Sequence, residues 1–172
     1  MAKTTGTMRN YLEAIRTTLD AALCIQNFPS QRVERHNKPE VELRKSKELL
    51  LTPVTISRTD KEEILIEGSV NSIRMSVKIK QMDAMEMWIT DRFVRFLEQR
   101  AEVFDILRRK SLDGYDISFL ITNKHIERKN KEKIIDFLVM FLTDIDAEIN
   151  EIKLDTSARA RVCGRTLLKA LV

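Results

Sequence analysis

The side chains best suited to chemistry in this chain are two histidines and two cysteines. His36 and His125 lie far apart, and neither belongs to a cluster with metal-ligand spacing. A dyad of His36 with Cys24 or Cys163 is the nucleophilic arrangement that these residue types permit. Each cysteine lies in helix-like sequence without an obvious activating neighbour, so we expect two buried structural thiols instead.

Motifs that bind cofactors or carry catalysis are missing from the sequence. The 172 residues include only four glycines, and no Gly-rich phosphate loop, nucleophile elbow or paired-carboxylate motif is present. We therefore predict that the chain is not an enzyme, with no catalytic residue, no metal site and no cofactor.

Local basic clusters keep nucleic-acid binding open as an alternative function. The net charge is +4, from 30 basic and 26 acidic residues, so the excess matters only where it is concentrated. Arg108-Arg109-Lys110 and the stretch from Lys124 to Lys133 could follow phosphates. The aromatic residues are not interleaved with them as a stacking platform would require. A small basic nucleic-acid-binding domain of α+β class therefore remains the second hypothesis.

Composition predicts a globular, soluble protein of the cytoplasm. Hydrophobic residues make up 43% and charged residues 33% of the chain, as in ordinary folded domains. No apolar run approaches the roughly 20 residues of a membrane span, and the N-terminus lacks an apolar targeting core. We expect a single domain over 1–172, with a flexible tail over 1–7, an extended connector over 29–48 and a C-terminal helical region over 124–172.

Periodicity predicts a helix, then strands. Met8 to Phe28 has the apolar spacing of an amphipathic helix. Strand-like alternation follows over Leu50 to Ser57, Glu63 to Glu67 and Val70 to Lys80, the last with one face exposed to water, and returns at Tyr115 to Ile121. These segments predict an antiparallel meander of four to five strands.

Helical periodicity also covers much of the second half. It extends from Met82 to Lys110 and from about Asn130 to Leu154. Asp155-Thr156-Ser157 could cap a final short basic helix that ends near Leu171. The predicted fold is a two-layer α+β domain with an N-terminal helix, the meander, a long central helix, a long C-terminal helix and this short helix.

Two helices contain residues that favour a protein partner. Arg92 and Arg100 interrupt the apolar stripe of the central helix, where they either extend to water or meet carboxylates of another subunit. In the C-terminal helix, Phe137 to Leu142 is apolar nearly all round because Val139 and Met140 lie off the core stripe. A second element of this chain or a second protein must cover that stretch, and we favour the second protein.

A basic face is predicted at the end of the chain. Arg161, Arg165 and Lys169 recur every four residues, opposite an apolar side that includes Cys163. Such a face is either solvated or in contact with an acidic protein surface.

Several segments together resemble one known family. Val33 to Glu42 is a charged, Pro-containing stretch that we expect to lie extended on a surface. This block, with Gly68-Ser69-Val70-Asn71-Ser72, the basic triplet at Arg108, Gly114 to Asn123 and Ala158-Arg159-Ala160-Arg161, resembles subunit 4 of the actin-related protein 2/3 complex. The similarity extends from Tyr11 to Lys169, with a departure at Cys163-Gly164-Arg165-Thr166.

The resemblance implies a structural subunit of the nucleator of branched actin filaments. Such a subunit would form a heterodimer with the larger subunit 2, contact the actin-related proteins, and touch the mother filament, without membrane or nucleic acid. It assigns the filament contact to six residues: Arg108, Arg109, Lys110, Arg159, Arg161 and Lys169. With the helical features above, it assigns the partner-subunit interface to Phe137, Val139, Met140, Phe141, Arg92 and Arg100.

Overall fold

The computed structural model describes residues 6–24, 39–43, 51–69, 71–99 and 105–170. Nine helices and strands follow one another within these ranges. In chain order they are α1 (Gly6–Leu23), α2 (Glu40–Leu43), β1 (Val54–Thr59), β2 (Glu62–Gly68), β3 (Ser72–Lys78), α3 (Ala84–Gln99), β4 (Ile117–Thr122), α4 (Asn123–Lys129) and α5 (Lys131–Ala170).

The four strands form one antiparallel sheet in the order β1-β2-β3-β4. Ile66 pairs with Met75, and Met75 pairs with Phe119, so these apolar side chains line one face. Beyond the edge of β4, Leu107 makes an isolated bridge with Phe119. The predicted α+β class and antiparallel meander are confirmed.

The main core lies between this sheet face and the helices. Helix α1 packs against β1 and α5, and α3 also packs against α5. Ile15 and Leu19 of α1 and Leu138 of α5 are fully enclosed. The predicted amphipathic stripe of the first helix is thus the face that contacts the sheet layer.

A partly buried ionic cluster joins the two layers. The Arg58 guanidinium donates to carboxylate oxygens of Glu62, at 2.7 Å from Nε, and of Asp146, at 2.7 Å from Nη2. Its Nη1 donates to the sulfur of Met8 at 3.0 Å, and its Cζ lies 5.9 Å from the centre of the Tyr11 ring. Burial raises the pKa of Tyr11 and of Glu62. One side chain of β1 therefore connects the sheet to α1 and α5.

The opposite sheet face is not as wet as the alternation in β3 predicted. The Ser76 and Ser118 hydroxyls lie buried, 2.9 Å apart, and Leu120 beside them is also buried. The chain crosses this face at Leu112, whose N–H donates to Ser118 Oγ at 3.0 Å, and α2 packs against β3. The polar face of β3 is thus covered by α2 and by the chain around Leu112, and the alternation within β3 does not predict that cover.

Several helix boundaries correct the predictions. Helix α1 begins at Gly6, inside the expected tail, and Glu40–Leu43 is helical inside the expected connector. Helix α3 is described only to Gln99. At Ile106 the chain already pairs with β4, because the Leu120 N–H donates to the Ile106 carbonyl. The predicted extension of this helix to Lys110 is therefore wrong.

Helix α5 continues through the predicted break at Asp155-Thr156-Ser157. The side chains of these residues make other contacts instead of capping a new helix. Ser157 Oγ donates to the sulfur of Met85 at 3.8 Å, and Asp155 pairs with Arg159 one turn later. The result is one helix of 40 residues, about 60 Å long. None of the described helices combines the length and the apolar character needed to cross a membrane.

Candidate protein-binding surfaces

The basic triplet Arg108-Arg109-Lys110 lies in a loop whose two ends are held by one residue of β4. The Arg108 N–H donates to the Ser118 carbonyl at 2.9 Å. The Leu112 N–H donates to the Ser118 hydroxyl at 3.0 Å, and that hydroxyl is buried against Ser76. Because backbone groups on both sides of the triplet are fixed, the loop presents its side chains from a defined frame.

The three cations of this loop have different surroundings. Arg108 makes a two-point ion pair with Glu42 of α2, at 3.0 Å from Nε and 3.2 Å from Nη2. Arg109 lies beside the end of α3, where it shares a surface depression with Arg95, Glu98 and Gln99. Arg108 is thus partly neutralised by its own chain, and the side chains of all three residues are exposed.

The other predicted filament-binding residues lie on the last third of α5. Arg159 pairs with Asp155 at 2.9 Å, and Arg161 Nε donates to the Ser157 carbonyl at 3.3 Å. Arg161 and Lys169 are exposed. The structure therefore places the six predicted cations on two separate elements, a fixed loop and a helix.

The apolar stretch of α5 is covered mainly by this chain. Phe137, Val139 and Phe141 are half-buried against the core, and the rings of Phe119 and Phe141 meet edge to face with centres 5.2 Å apart. Met140 is the exception, with 58% of its surface exposed. Of the two coverings that the sequence allowed, neighbouring elements of this chain account for most of this stretch, and the second protein that we favoured is not needed to cover it. Met140 alone among these residues is left exposed by the described part of the chain.

Beyond Ile149, α5 leaves the core of its own domain. None of the side chains whose exposure is described between residues 150 and 170 is buried. Leu154, Val162 and Leu168 are 69%, 62% and 65% exposed. We call residues 150–170 the exposed segment of α5. Most helical stability in proteins comes from packing of an apolar face, and the described part of this chain does not supply that packing to the exposed segment.

Four exposed apolar residues of α5, with Arg161 among them, follow a line that the sequence analysis did not identify. Exposed positions on the side away from the core recur every seven residues: Met140, Ala147, Leu154, Arg161 and Leu168. A seven-residue repeat drifts by only about 20° per repeat on a straight helix, so these positions form a continuous line. We call this set the heptad line. Its period was visible in the sequence, but the predicted break at Asp155 divided it.

Contacts with α3 fix the start of the exposed segment. Lys153 Nζ binds the carboxylates of Asp83 and Glu86, the latter at 2.8 Å. The hydrogen bonds from Lys153 lower the pKa of both carboxyls, and the two carboxylates raise the pKa of Lys153. The direction of the exposed segment is thus set by contacts at its first turn.

The outer side of α3 carries exposed apolar residues as well. Met87 and Trp88 lie on this side, and the Arg92 guanidinium lies 5.2 Å from the centre of the Trp88 ring. Arg92 is exposed, as expected if its side chain extends to water. Arg100 lies outside the described residues.

The cysteines and histidines that the sequence analysis considered for catalysis do not form a catalytic group among the described residues. Cys24 and Cys163 are both exposed, so the prediction of buried thiols is wrong. Each lies near a helix end or on the exposed segment, away from the core stripe. His125 Nδ1 accepts the Thr122 N–H at 3.1 Å at the start of α4, and burial lowers the pKa of this histidine. His36 lies outside the described residues, and the described part of the chain contains no group of acidic, His or Cys side chains suited to a metal ion.

Comparison with known proteins gives matches over nearly the whole chain. The family model of the ARP2/3 complex 20 kDa subunit (ARPC4) matches residues 4–170. A probable actin-related protein 2/3 complex subunit 4 of Caenorhabditis elegans is 56% identical over 95% of this chain and 97% of that protein. The Dictyostelium discoideum subunit 4 is 56% identical over 92% and 94%, and that of Saccharomyces cerevisiae is 54% identical over 96% and 97%.

Proposed function

Because the chain belongs to the family of ARP2/3 complex 20 kDa subunits, we propose which of its surfaces serve the assembly. The chain is a structural subunit of the nucleator of branched actin filaments and is not an enzyme. Its partners are the other subunits of that complex and actin filaments, at the cytoplasmic actin cytoskeleton. The family assignment does not support the alternative of a nucleic-acid-binding domain.

The heptad line of α5 is proposed as the interface with the larger subunit 2. Its period is that of helices packed side by side, and its apolar members are exposed although the helix is long and otherwise weakly supported. A helix of the partner laid along this line would bury Met140, Leu154 and Leu168 together. The exposure of these residues on one line is the observation that carries the proposal.

Other predicted interface residues are proposed to act at the margins of this contact. Phe137, Val139 and Phe141 support the turn that carries Met140, because their rings and methyls pack on the core behind it. Arg92 and Arg100 are proposed to meet carboxylates of a partner on the α3 side. The whole chain, 1–172, would act as one scaffold domain, since α1 and α5 pack on each other.

Co-purification of this chain with subunit 2 tests the interface. We expect Leu154→Asp and Leu168→Asp to weaken the heterodimer by about tenfold or more, because each introduces a charge into a contact that must exclude water. Thr166→Asp is the matched control: Thr166 is exposed on the same segment but lies off the heptad line. Equal losses for all three variants, or for none, would contradict the proposed line.

The basic residues are proposed to bind the mother filament, whose acidic surface suits their charge. Lys110 would contribute most from the loop, since Arg108 already pairs with Glu42. Arg159 and Lys169 would contribute from α5. Arg161 lies on the heptad line, so its long side chain would have to extend past the edge of the subunit 2 helix to join them. The fixed loop backbone supports the proposal, because a preorganised group of cations loses less entropy on binding.

Co-sedimentation of the assembled complex with actin filaments tests this assignment. The combined variant Arg108→Ala, Arg109→Ala and Arg161→Ala should weaken filament binding and reduce its dependence on salt. Among single variants, we expect Lys110→Ala to have a larger effect than Arg108→Ala. Lys61→Ala, an exposed lysine in the β1-β2 turn, serves as the control. Unchanged binding by the combined variant across salt concentrations would refute the assignment.

A further inference from the structure

A cavity separate from the heptad line lies where α4 meets α5. Its volume is about 510 Å³, within the range of sites that hold small ligands or side chains. Ile106 and Ile134 form a buried floor, and Phe137 forms one wall. An apolar group of the size of a leucine side chain would therefore find apolar surroundings here.

The rim of this cavity is basic. Arg128, Lys129 and Lys133 contribute three positive charges, and Asp105 contributes one negative charge, so the lining has an excess of two positive charges. Arg128 and Lys129 both use Asp105, at 3.1 Å and 3.6 Å, in exposed pairs that solvent screens. Such weak pairs can be exchanged for an incoming carboxylate at little cost.

Lys133 distinguishes this rim from an ordinary solvated helix face. It is exposed above the apolar floor, one residue before Ile134, and no ion pair within the described part of the chain involves it. A ligand that combines carboxylates with an apolar group would satisfy both the rim and the floor.

We propose that this cavity binds a short acidic peptide segment of a protein partner, with one apolar side chain on the floor and flanking carboxylates at Lys133 and Lys129. The charge excess and the apolar floor together select this occupant over a purely ionic ligand. The site is independent of the heptad line, because its floor lies on the side of α5 that faces the core.

Methyl NMR of the full-length chain with labelled isoleucines gives the test. The probe is a blocked pentapeptide with a central leucine between pairs of glutamates. We expect the methyl signals of Ile106 and Ile134 to shift on titration. A peptide with serine in place of leucine, and one with lysines in place of glutamates, should each bind about tenfold more weakly or not at all.

Charge variants locate the peptide on the rim. Lys133→Glu should weaken binding by about tenfold, and Lys129→Glu should give a similar loss, whereas Lys61→Glu should bind as the unaltered chain does. Each lysine is at least partly exposed, so the folded methyl spectrum should persist in every variant.

Four results would overturn the proposal. They are an absence of shifts at both isoleucines, equal binding of the serine peptide, an equal loss for Lys61→Glu and Lys133→Glu, and shifts produced by phosphatidylserine vesicles but not by the acidic peptide. The last of these would assign the cavity to an anionic lipid surface.

Discussion

The two halves of α5 have similar helical sequences but opposite surroundings. From Lys131 to Ile149, the stripe that includes Ile134, Leu138 and Leu142 is buried against the sheet and the other helices. From residue 150 onward, apolar side chains persist, but the described part of this chain supplies little to cover them. In the first half, therefore, the hydrophobic pattern is explained by the fold, and in the second half we propose that it is explained by an interface.

This difference shows how a subunit can encode two kinds of contact in one helix. The core stripe follows the 3.6-residue period of a straight helix packed on its own domain. The heptad line follows the seven-residue period of a helix packed along another helix. Both periods coexist around Met140, where the core stripe and the heptad line occupy opposite sides of the helix.

The largest effect should come from truncating a core residue of the first half. Leu138 is fully buried, so Leu138→Ala should lower the free energy of unfolding of the isolated chain by about 2–5 kcal/mol through lost contacts and a cavity. Leu154→Ala should change it by no more than about 0.5 kcal/mol, because that side chain is already in water. Urea denaturation followed by circular dichroism measures both, and equal losses would abolish the distinction between the halves.

Removal of the Arg58 guanidinium should have the next largest effect. Arg58→Ala leaves the buried carboxylate of Glu62 without its closest cation. The free energy of unfolding should fall by about 2 kcal/mol at neutral pH, and not more, because Asp146 is partly exposed. Arg95→Ala, which breaks an exposed pair with Asp91, is the control and should cost at most about 0.5 kcal/mol.

The pH dependence of the Arg58→Ala effect follows from the raised pKa of Glu62. A folded-state pKa above the unfolded value means that the charged carboxylate disfavours folding at pH values above the folded pKa, and the penalty disappears as pH falls through it. Loss of Arg58 removes an interaction that lowers this pKa. The destabilisation should therefore be smaller near pH 4 than at pH 7, and an equal or larger loss in acid would contradict this account.

Sequence patterns predicted the helices and strands well where the apolar face of a segment is also the face that packs on the core. The alternation in Ile73, Met75 and Val77 predicted β3, and the apolar spacing around Ile15 predicted α1. In both elements the apolar face that the pattern shows is buried, although in β3 Ser76 on the other face is buried as well.

The errors arose where contacts distant in sequence overrode a local pattern. Helical spacing continues past Gln99, but Ile106 and Arg108 make backbone hydrogen bonds to β4 instead. Capping residues at Asp155 predicted a break, but the hydroxyl of Ser157 faces Met85 on α3. Among the candidate site residues, Met140 could be identified from its position off the core stripe. The Glu42 pair with Arg108 could not, because it depends on the approach of α2.

A smaller effect is expected from Gly164, which weakens the exposed segment. A methyl group added at this residue would meet no atom within 4 Å, and alanine favours a helix by about 1 kcal/mol over glycine. Gly164→Ala should therefore slow amide hydrogen exchange around residue 164 in the isolated chain by up to about fivefold. Gly164 lies one turn before Leu168 on the same side of α5, so the added methyl group would also lie in the proposed interface with subunit 2. Unchanged or faster exchange in Gly164→Ala would contradict this account.

The smallest effect concerns the boundary between the two halves, where Lys153 contacts Asp83 and Glu86. The pKa of each carboxyl is lowered, so their contribution is present above the ordinary carboxyl pKa and is lost as pH falls through the lowered folded values. Lys153→Met should return both pKa values upward, as measured by carboxyl ¹³C NMR titration, with Lys133→Met as the control. In acid, or in Lys153→Met, amide exchange should quicken in the exposed segment while the turn at Leu138 is unaffected. Faster exchange at Leu138 as well would show that the two halves open as one unit, and the independence of the interface half from the core half would be lost.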